Sequence, residues 1–403
     1  MTGIAAKKNF QTEKSDKLKF RLDRVTTIVS AHFIQDTYAA FLAPLLPSLI
    51  DKLSLTYTQA GSLSTVTQLL SILNPVIGYL DDKVNLRIFI ILAPAITATT
   101  MSCLGIAPTY ASLLVILFIT GMSIAVFHAI SPAMVARVSG TQVGKGMSYF
   151  MAAGELGRAA GPLIVSWALL TFTLGKMIPI AVPGWIASLI IFLRFRGIPV
   201  HIEKQTGIRN VLPLAPRLFL PLFGITFFRN FLITGMGVYL PTLLVSEGAG
   251  IWQSNISLAV YQLAGVVGAF LGGTVSDRFG RKPVLFLVSF LAPIAVLTYL
   301  SSDGWLTLLV LVFSGIFALS SQPIVLAIVQ DHLPDHRSVG NGLITAINFI
   351  CLSISAIVIG LLADQFGLQQ AFQIIAVVSL VAAPIVLTVP PASGNRLIED
   401  SVA

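Results

Sequence analysis

Acidic residues are scarce in this sequence. Only 17 of 403 residues are Asp or Glu and 25 are Lys or Arg, so charged side chains make up 10% of the chain, against about 25% in an ordinary soluble domain. Hydrophobic residues make up 55% and mean hydropathy is +0.88. No soluble core could hide that much apolar surface, which excludes a water-soluble globular domain. Cysteine is nearly absent: Cys103 and Cys351 stand alone without C-x-x-C spacing, which excludes a disulfide framework and a cysteine metal site. Enzyme signatures are missing as well. Gly140 to Gly146 reads GTQVGKG, one residue short of a phosphate loop before its Gly-Lys pair and without the following Ser/Thr. There is no G-x-S-x-G elbow, no H-E-x-x-H and no polar stretch large enough to fold around ATP, so the reading is no enzyme, no cofactor, no metal, and work driven by a gradient. The amino-terminal tail has no apolar core ahead of a cleavage site and is not read as a secretory signal. The net charge of +8 is spread over short loops without aromatic interleaving, which argues against nucleic acid.

What is present is a series of apolar runs of about 20 residues, the length that crosses a bilayer as a helix. Twelve are expected, at approximately 25–50, 57–80, 86–106, 109–136, 145–173, 177–195, 217–245, 252–275, 283–301, 305–330, 339–363 and 369–389. The fold class is thus an all-α membrane protein with twelve transmembrane helices. Lys and Arg orient such chains, because they stay on the cytoplasmic side. They crowd the tail, from Lys7 to Arg24, and the loops after even-numbered spans, while the opposite loops show only Lys52 and Lys176. Both termini are expected in the cytoplasm, with the protein in the cell inner (plasma) membrane.

The chain also repeats itself. Gly78 to Lys83 reads GYLDDK and Gly273 to Lys282 reads GTVSDRFGRK, which places Asp82 and Asp277 a little under half the chain apart. Pro132 and Pro323 echo one another at nearly the same offset. Two six-span halves joined by a basic segment explain both offsets, and parallel repeats of this kind enclose a central cavity open alternately to either side. The expected organisation is a cytoplasmic basic tail (1–24), a first six-helix bundle (25–195), a cytoplasmic linker (196–216), a second bundle (217–389) and a cytoplasmic tail (390–403).

The Gly273–Lys282 stretch resembles the loop signature of the major facilitator superfamily, and the twelve spans in two pseudo-symmetric halves match that fold over nearly the whole chain. The first-half copy is degenerate, with Asn85 and Leu86 in place of the glycine and arginine. The resemblance implies gating by Asp82, Lys83, Asp277, Arg278 and Arg281, the cationic cluster gripping the facing half in one conformation only; topology-setting charges are the plainer reading of Arg281 and Lys282. Within the superfamily, His32-x-x-x-Asp36, Phe127-His128 with Val135-Ala136-Arg137, and a Gly-rich fifth span resemble the fosmidomycin-resistance branch, whose members export a small phosphonate antibiotic at the expense of protons. Glu155 and Arg158 depart from that branch and leave the cargo open.

The ionisable residues inside the spans carry the functional reading. A charged side chain at mid-bilayer costs about 2.5–3.5 kcal/mol on the insertion scale, so Asp36, Glu155, Arg158 and Arg229 must face water or one another. His32 and Asp36 lie at i and i+4, one above the other on a helix face. A carboxylate that empties its proton on one side and refills on the other is the minimum for proton coupling, which points to Asp36 as carrier, His32 as partner and Glu155 as a second titrating group. A static polar link to a neighbouring span is the competing reading. Arg158 is either an anion contact or the neutralising partner of Glu155. Arg229, beside Asn230, is a substrate-anion site or the cross-half partner of Asp36 or Glu155. His128, Tyr38, Gln262, Gln322 and Asn348 are further candidates for substrate binding, with Gln68, Asn74 and Tyr239 as lining, though each could instead bond between helices. Arg137 is either a snorkelling anchor or a gate partner. Gly154, Gly157 and Gly161 share a face that admits a close neighbour, and Pro162 bends the helix behind them; such runs mark antiporters of the superfamily. The expected function is proton-coupled export of a small anionic or amphipathic compound by a chain able to work as a monomer in the bilayer. Proton-coupled uptake of an organic anion or phosphorylated metabolite is the alternative, and an uncoupled channel or receptor a third.

Overall fold

The computed structural model describes residues 20–81, 87–195, 215–333 and 337–391, and within them the chain is helical throughout. Span 1 is α1 (Leu22–Ala39) and α2 (Leu42–Leu53); span 2 is α3 (Tyr57–Leu69), a 3-10 turn (Leu70–Leu73) and α4 (Asn74–Asp81). Spans 3 to 6 are α5 (Arg87–Ser102), α6 (Tyr110–Val138), α7 (Val143–Phe172) and α8 (Val182–Phe195). Span 7 is α9 (Ala215–Thr234), a π segment (Gly235–Tyr239) and α10 (Leu240–Ser246). Spans 8 to 11 are α11 (Ile251–Phe279), α12 (Arg281–Leu300), α13 (Trp305–His332) and α14 (Arg337–Phe366), and span 12 is α15 (Leu368–Ser379) followed by α16 (Ala382–Val386).

The breaks inside spans follow from proline, which has no N–H to return to the preceding turn. Pro44 stands just after the Ala40–Phe41 interruption of span 1, and Pro241 just after the π segment of span 7. Nine described helices are long and apolar enough to cross a bilayer. Spans 2, 5 and 6 fall short of that measure for local reasons: the 3-10 interruption, the charges Lys145, Glu155 and Arg158 in α7, and the short apolar length of Ile178–Arg194. Large apolar side chains such as Leu170, Leu220 and Trp305 stand more than 70% exposed, as acyl-chain-facing positions would.

The helices pair within each half, α1 with α7 and α5 with α6 in the first, α9 with α14 and α11 with α13 in the second. Between the halves, span 2 packs on span 11 and span 5 on span 8. Adding six to 2 and 5 exchanges these two contacts, which is what two copies of one six-helix unit related by an approximate two-fold would give.

One end of that interface is closed. The Asp364 carboxylate accepts hydrogen bonds from the backbone N–H of Tyr57 (2.7 Å) and Thr58 (3.0 Å), so a second-half carboxylate caps the first turn of first-half α3, whose own Thr56–Gln59 capping box satisfies other amides there. Tyr239 Oη donates to the Tyr57 and Ala356 carbonyls, and Thr65 Oγ1 to the Ser353 carbonyl. Glycines permit this approach: a Cβ at Gly360 would stand 2.7 Å from Thr58 Cα, and one at Gly61 would strike the Ala356 carbonyl. At the other end, Arg281 pairs with Asp277 in α11 and with Asp331 of α13 (3.2 Å), and donates to Ser276 (2.8 Å). Among the described residues, Arg281 is thus engaged within its own half. Arg278 lies 5.6 Å over the Phe279 ring. Asp82 and Lys83, Asn85 and Leu86, and nearly all of the expected linker lie outside the described residues.

Candidate functional site

The closed end leaves a cavity of about 340 Å³ between the halves, lined from the first by Asp36, Ser64, Gln68, His128, Arg158 and Pro162 and from the second by Gly237, Leu258, Gln262 and Phe349 among others. Its polar focus lies on the first-half wall, where α1, α6 and α7 meet. The glycine face of α7 creates that meeting. A Cβ at Gly154 would stand 2.7 Å from His32 Nε2 and 3.0 Å from Asp36 Oδ2, one at Gly157 would strike the Phe33 carbonyl, and one at Gly161 would sit 2.7 Å from Ala40 Cβ. A polar ladder fixes α1 from its other side: Gln35 Nε2 donates to Thr97 (2.8 Å), Thr97 to Ser123 (2.9 Å) and Ser123 to the Ala93 carbonyl (3.0 Å).

Asp36 is 2% exposed and His32 3%. His32 Nε2 stands 3.5 Å from Asp36 Oδ2, His128 Nε2 3.2 Å from Asp36 Oδ1, and the two Nε2 atoms 3.3 Å from each other. His32 Nδ1 is 2.7 Å from the Phe150 carbonyl, with its ring stacked on Phe150, and His128 Nδ1 is 3.0 Å from the Ile124 carbonyl. Carbonyl oxygens only accept, so each Nδ1 must carry a hydrogen. In the neutral imidazoles both Nε2 atoms then present lone pairs, to one another and to a carboxylate. The two Nε2 atoms and Asp36 Oδ1 are then three acceptors that converge with no hydrogen between them, and Oδ1 is a buried oxygen without a hydrogen bond. One added cation resolves the arrangement. A proton on either Nε2 does so by hydrogen bonding, and the spacing, with all three donor atoms within 4.8 Å, would also accommodate a single metal ion.

Arg158, one turn along α7, completes the cluster. It pairs with Glu155 and places Nη1 3.2 Å from Asp36 Oδ2. Two carboxylates and one guanidinium beside two neutral imidazoles sum to one negative charge, which one proton cancels. Arg158, 42% exposed, lines the cavity and presents its charge there, while Glu155, 26% exposed, pairs with it from outside the lining.

The structure distributes the remaining candidates differently from the sequence reading. His128, expected at the substrate, belongs to the Asp36 cluster as well as to the cavity wall. Gln68 and Gln262 line the cavity, one from each half. Tyr38 stands outside that lining because it turns away, its buried hydroxyl donating to the Ile180 carbonyl. Asn230 is buried against Asn348, donating to its side chain at 3.1 Å. Arg229 is 3% exposed and pairs with neither Asp36 nor Glu155; it donates to Ser321 and Gln322, both at 2.6 Å. These five, Tyr38, Arg229, Asn230, Gln322 and Asn348, contribute no atoms to the cavity wall in this conformation. Tyr239 serves the closed end instead, and Asn74 is likewise outside the wall. Arg137 occupies the last turn of α6. Sequence reasoning missed Ser64 and Phe349, which carry no signal beyond their placement.

The model of the Major Facilitator Superfamily matches residues 28–259 and, in a second match, 222–401. The chain is 25% identical over 365 residues to the "Fosmidomycin resistance protein" of Escherichia coli (strain K12), covering 87% of this chain and 88% of that one. It is 27% identical over 363 residues to the MFS-type transporter YfnC of Bacillus subtilis (strain 168), covering 86% and 87%. Among solved structures it superposes on a D-xylose–proton symporter with a TM-score of 0.78 at 14% identity, over 93% of this chain and 99% of that one. A bacterial homologue of the human lysosomal transporter Spinster, in an inward-facing and unoccupied conformation, gives 0.78 at 14% over 92% and 97%. At such identities the structural likeness speaks for the fold alone.

Proposed function

This chain belongs to the Major Facilitator Superfamily and is a secondary transporter, and from that premise we propose that it exchanges protons, held at the Asp36–His32–His128 cluster, for a small anionic or amphipathic compound that it exports. The observation that carries the reading is the convergence of two imidazole lone pairs and a buried carboxylate on one point of the cavity wall, an arrangement one proton completes. Loading that proton cancels the local negative charge; losing it restores an Asp36 carboxylate whose remaining cationic partner, Arg158, is the group that also faces the cargo. A cargo whose anionic end meets Arg158 and whose own O–H or N–H is accepted by His128 Nε2 or the Asp36 carboxylate satisfies the same acceptors that the proton would satisfy, so proton and cargo exclude one another and one of the two is bound at each crossing.

Export, rather than uptake, is supported by the named resistance function of the relative from Escherichia coli and by the glycine face of α7. Both termini on the cytoplasmic side, an inner-membrane location and a working monomer complete the proposal. The cavity as described would then open to the cytoplasm, since its closed end carries the Ser54–Thr56 loop.

The test uses the full chain in proteoliposomes with fosmidomycin and small organic anions as trial cargos under an imposed pH gradient. Asp36→Asn is expected to abolish gradient-driven accumulation while keeping cargo exchange between the two sides. Accumulation that survives in Asp36→Asn removes Asp36 as carrier, and accumulation with the opposite dependence on the gradient replaces export by uptake.

A further inference from the structure

A proton is not the only cation that the Asp36 cluster fits, and the spacing of its atoms is more specific than a proton needs. A tetrahedral ion with bonds of about 2.0–2.1 Å holds its ligand atoms about 3.3–3.4 Å apart. Here the two Nε2 atoms are 3.3 Å apart, and Asp36 oxygens stand 3.2 Å from His128 Nε2 and 3.5 Å from His32 Nε2. The two imidazole rings lie edge to face with centroids 5.2 Å apart, wider than their Nε2 atoms, so it is the Nε2 edges that face each other. Each ring is anchored from behind: His32 Nδ1–H donates to the Phe150 carbonyl and His128 Nδ1–H to the Ile124 carbonyl. That outer hydrogen bond is the one that fixes tautomer and orientation in metal-bound histidines. Asp36 is 2% exposed, and its Oδ1 has no hydrogen bond. Asp36 and His128 both belong to the wall of the central cavity, which is the way in. Arg158, the cation beside Asp36, keeps Glu155 as its partner when an ion takes its place.

We propose that a single zinc ion binds here, held by His32 Nε2, His128 Nε2 and the Asp36 carboxylate, with a fourth position left for water. Two neutral imidazoles and one carboxylate, without a thiolate, suit zinc and its neighbours in the first transition row. Magnesium and calcium are hard cations that ask for a shell of oxygens, and the two nitrogens exclude them. The ion ties α1 to α6 and stands where the coupling reading holds its proton, so zinc and proton exclude one another. The site rests on geometry alone, whereas its consequence for transport rests on the coupling reading.

Purified full-length protein without an affinity tag, stripped with chelator and melted in detergent at constant pH, reads binding directly, since a ligand bound by the folded state raises the melting temperature in a saturable way. Zinc sulfate is expected to raise it and magnesium sulfate is not, and cobalt(II) is expected to give the visible d–d absorption of a tetrahedral site. His128→Gln should raise the half-saturating zinc concentration by more than roughly 100-fold, because even the outer hydrogen bonds of a metal site are worth roughly 10–100-fold. Asp36→Asn, which keeps the shape of the side chain, should weaken zinc comparably and abolish the cobalt absorption, so a folding defect in one variant, visible as a lower melting temperature in chelator, leaves the other to decide. His332→Gln, a histidine outside the cluster, should respond to zinc as the unaltered chain does. Equal responses to zinc and magnesium, an undiminished zinc response in the two cluster variants, or a response lost in His332→Gln each overturns the proposal. In proteoliposomes, zinc on both sides at its half-saturating concentration is expected to halve proton-driven accumulation. Accumulation that survives saturating zinc, with binding intact, removes the coupling reading and leaves the site; absence of binding removes the site and leaves the coupling reading.

Discussion

Asp36 has three cationic or protonatable neighbours, and each does a different job. His32 comes from its own helix and holds position through Phe150; His128 comes from α6 and meets the cavity; Arg158 comes from α7 and meets both cargo space and Glu155. Removing His128 takes away one of the two lone pairs of the proposed proton site but leaves carboxylate and cavity in place. His128→Gln is therefore expected to keep exchange and to reduce proton-driven accumulation by roughly tenfold, the effect of about 1.4 kcal/mol of lost proton affinity, measured in the same proteoliposomes. Arg158 behaves otherwise, because its loss deprives two carboxylates of the guanidinium they share. Arg158→Gln should lower both cargo binding and melting temperature, whereas Glu155→Gln with Arg158→Gln should recover part of the stability without recovering binding, the non-additivity expected of residues in one network.

At the scale of helices, two close approaches set what can move. The glycine face of α7 against α1 belongs to one half and has no reason to open during transport. Gly157→Leu must push the helices apart, at a cost of roughly 1–3 kcal/mol for overpacking, and is expected to lower the melting temperature markedly. Gly144→Ala, in the first turn of the same helix with nothing within 4 Å of the added Cβ, should leave it unchanged or slightly raised. The α3–α14 contact joins the two halves and must part when the cavity opens the other way. Asp364 is its charged fastening, an anion at a helix amino terminus. Asp364→Ala removes both cap bonds, each class of which is worth roughly 0.5–2 kcal/mol, and is expected to shift the population toward the opposite opening by several-fold. Alkylation of Thr65→Cys from the closed side reads that shift, and an unchanged rate would show that the fastening lies elsewhere.

For the whole molecule, the exchange symmetry of the span 2–span 11 and span 5–span 8 contacts would let one rocking motion of two rigid halves close one end as it opened the other. The closed end is held by uncharged bonds and one carboxylate; the other end keeps its Arg281–Asp277–Asp331 set inside the second half. Orientation is testable without any cargo. With Cys103 and Cys351 replaced by Ser, a membrane-impermeant maleimide applied to intact cells is expected to label Asp51→Cys and not Gln142→Cys, both positions being exposed at opposite ends of the helices. The reverse pattern would invert the topology and with it the direction in which the described cavity opens.

Composition and the spacing of apolar runs determine the class of this protein. Too few charges, twelve helix-length runs and a loop signature repeated across the halves leave little else for the chain to become, because helices are the means by which a single such run satisfies its backbone within lipid. The pairing of His32 with Asp36 was legible too, since i and i+4 fix neighbours on any helix. What needed the tertiary structure was every partnership between distant segments. His128 reaches Asp36 across 92 residues of chain, Asp364 reaches Tyr57 across 307, and Arg229 finds a serine and a glutamine where the sequence offered two acids. Local periodicity decides which residues share a face; only the packing of one face on another decides which charges meet, and that meeting is what turns isolated intramembrane ions into a site.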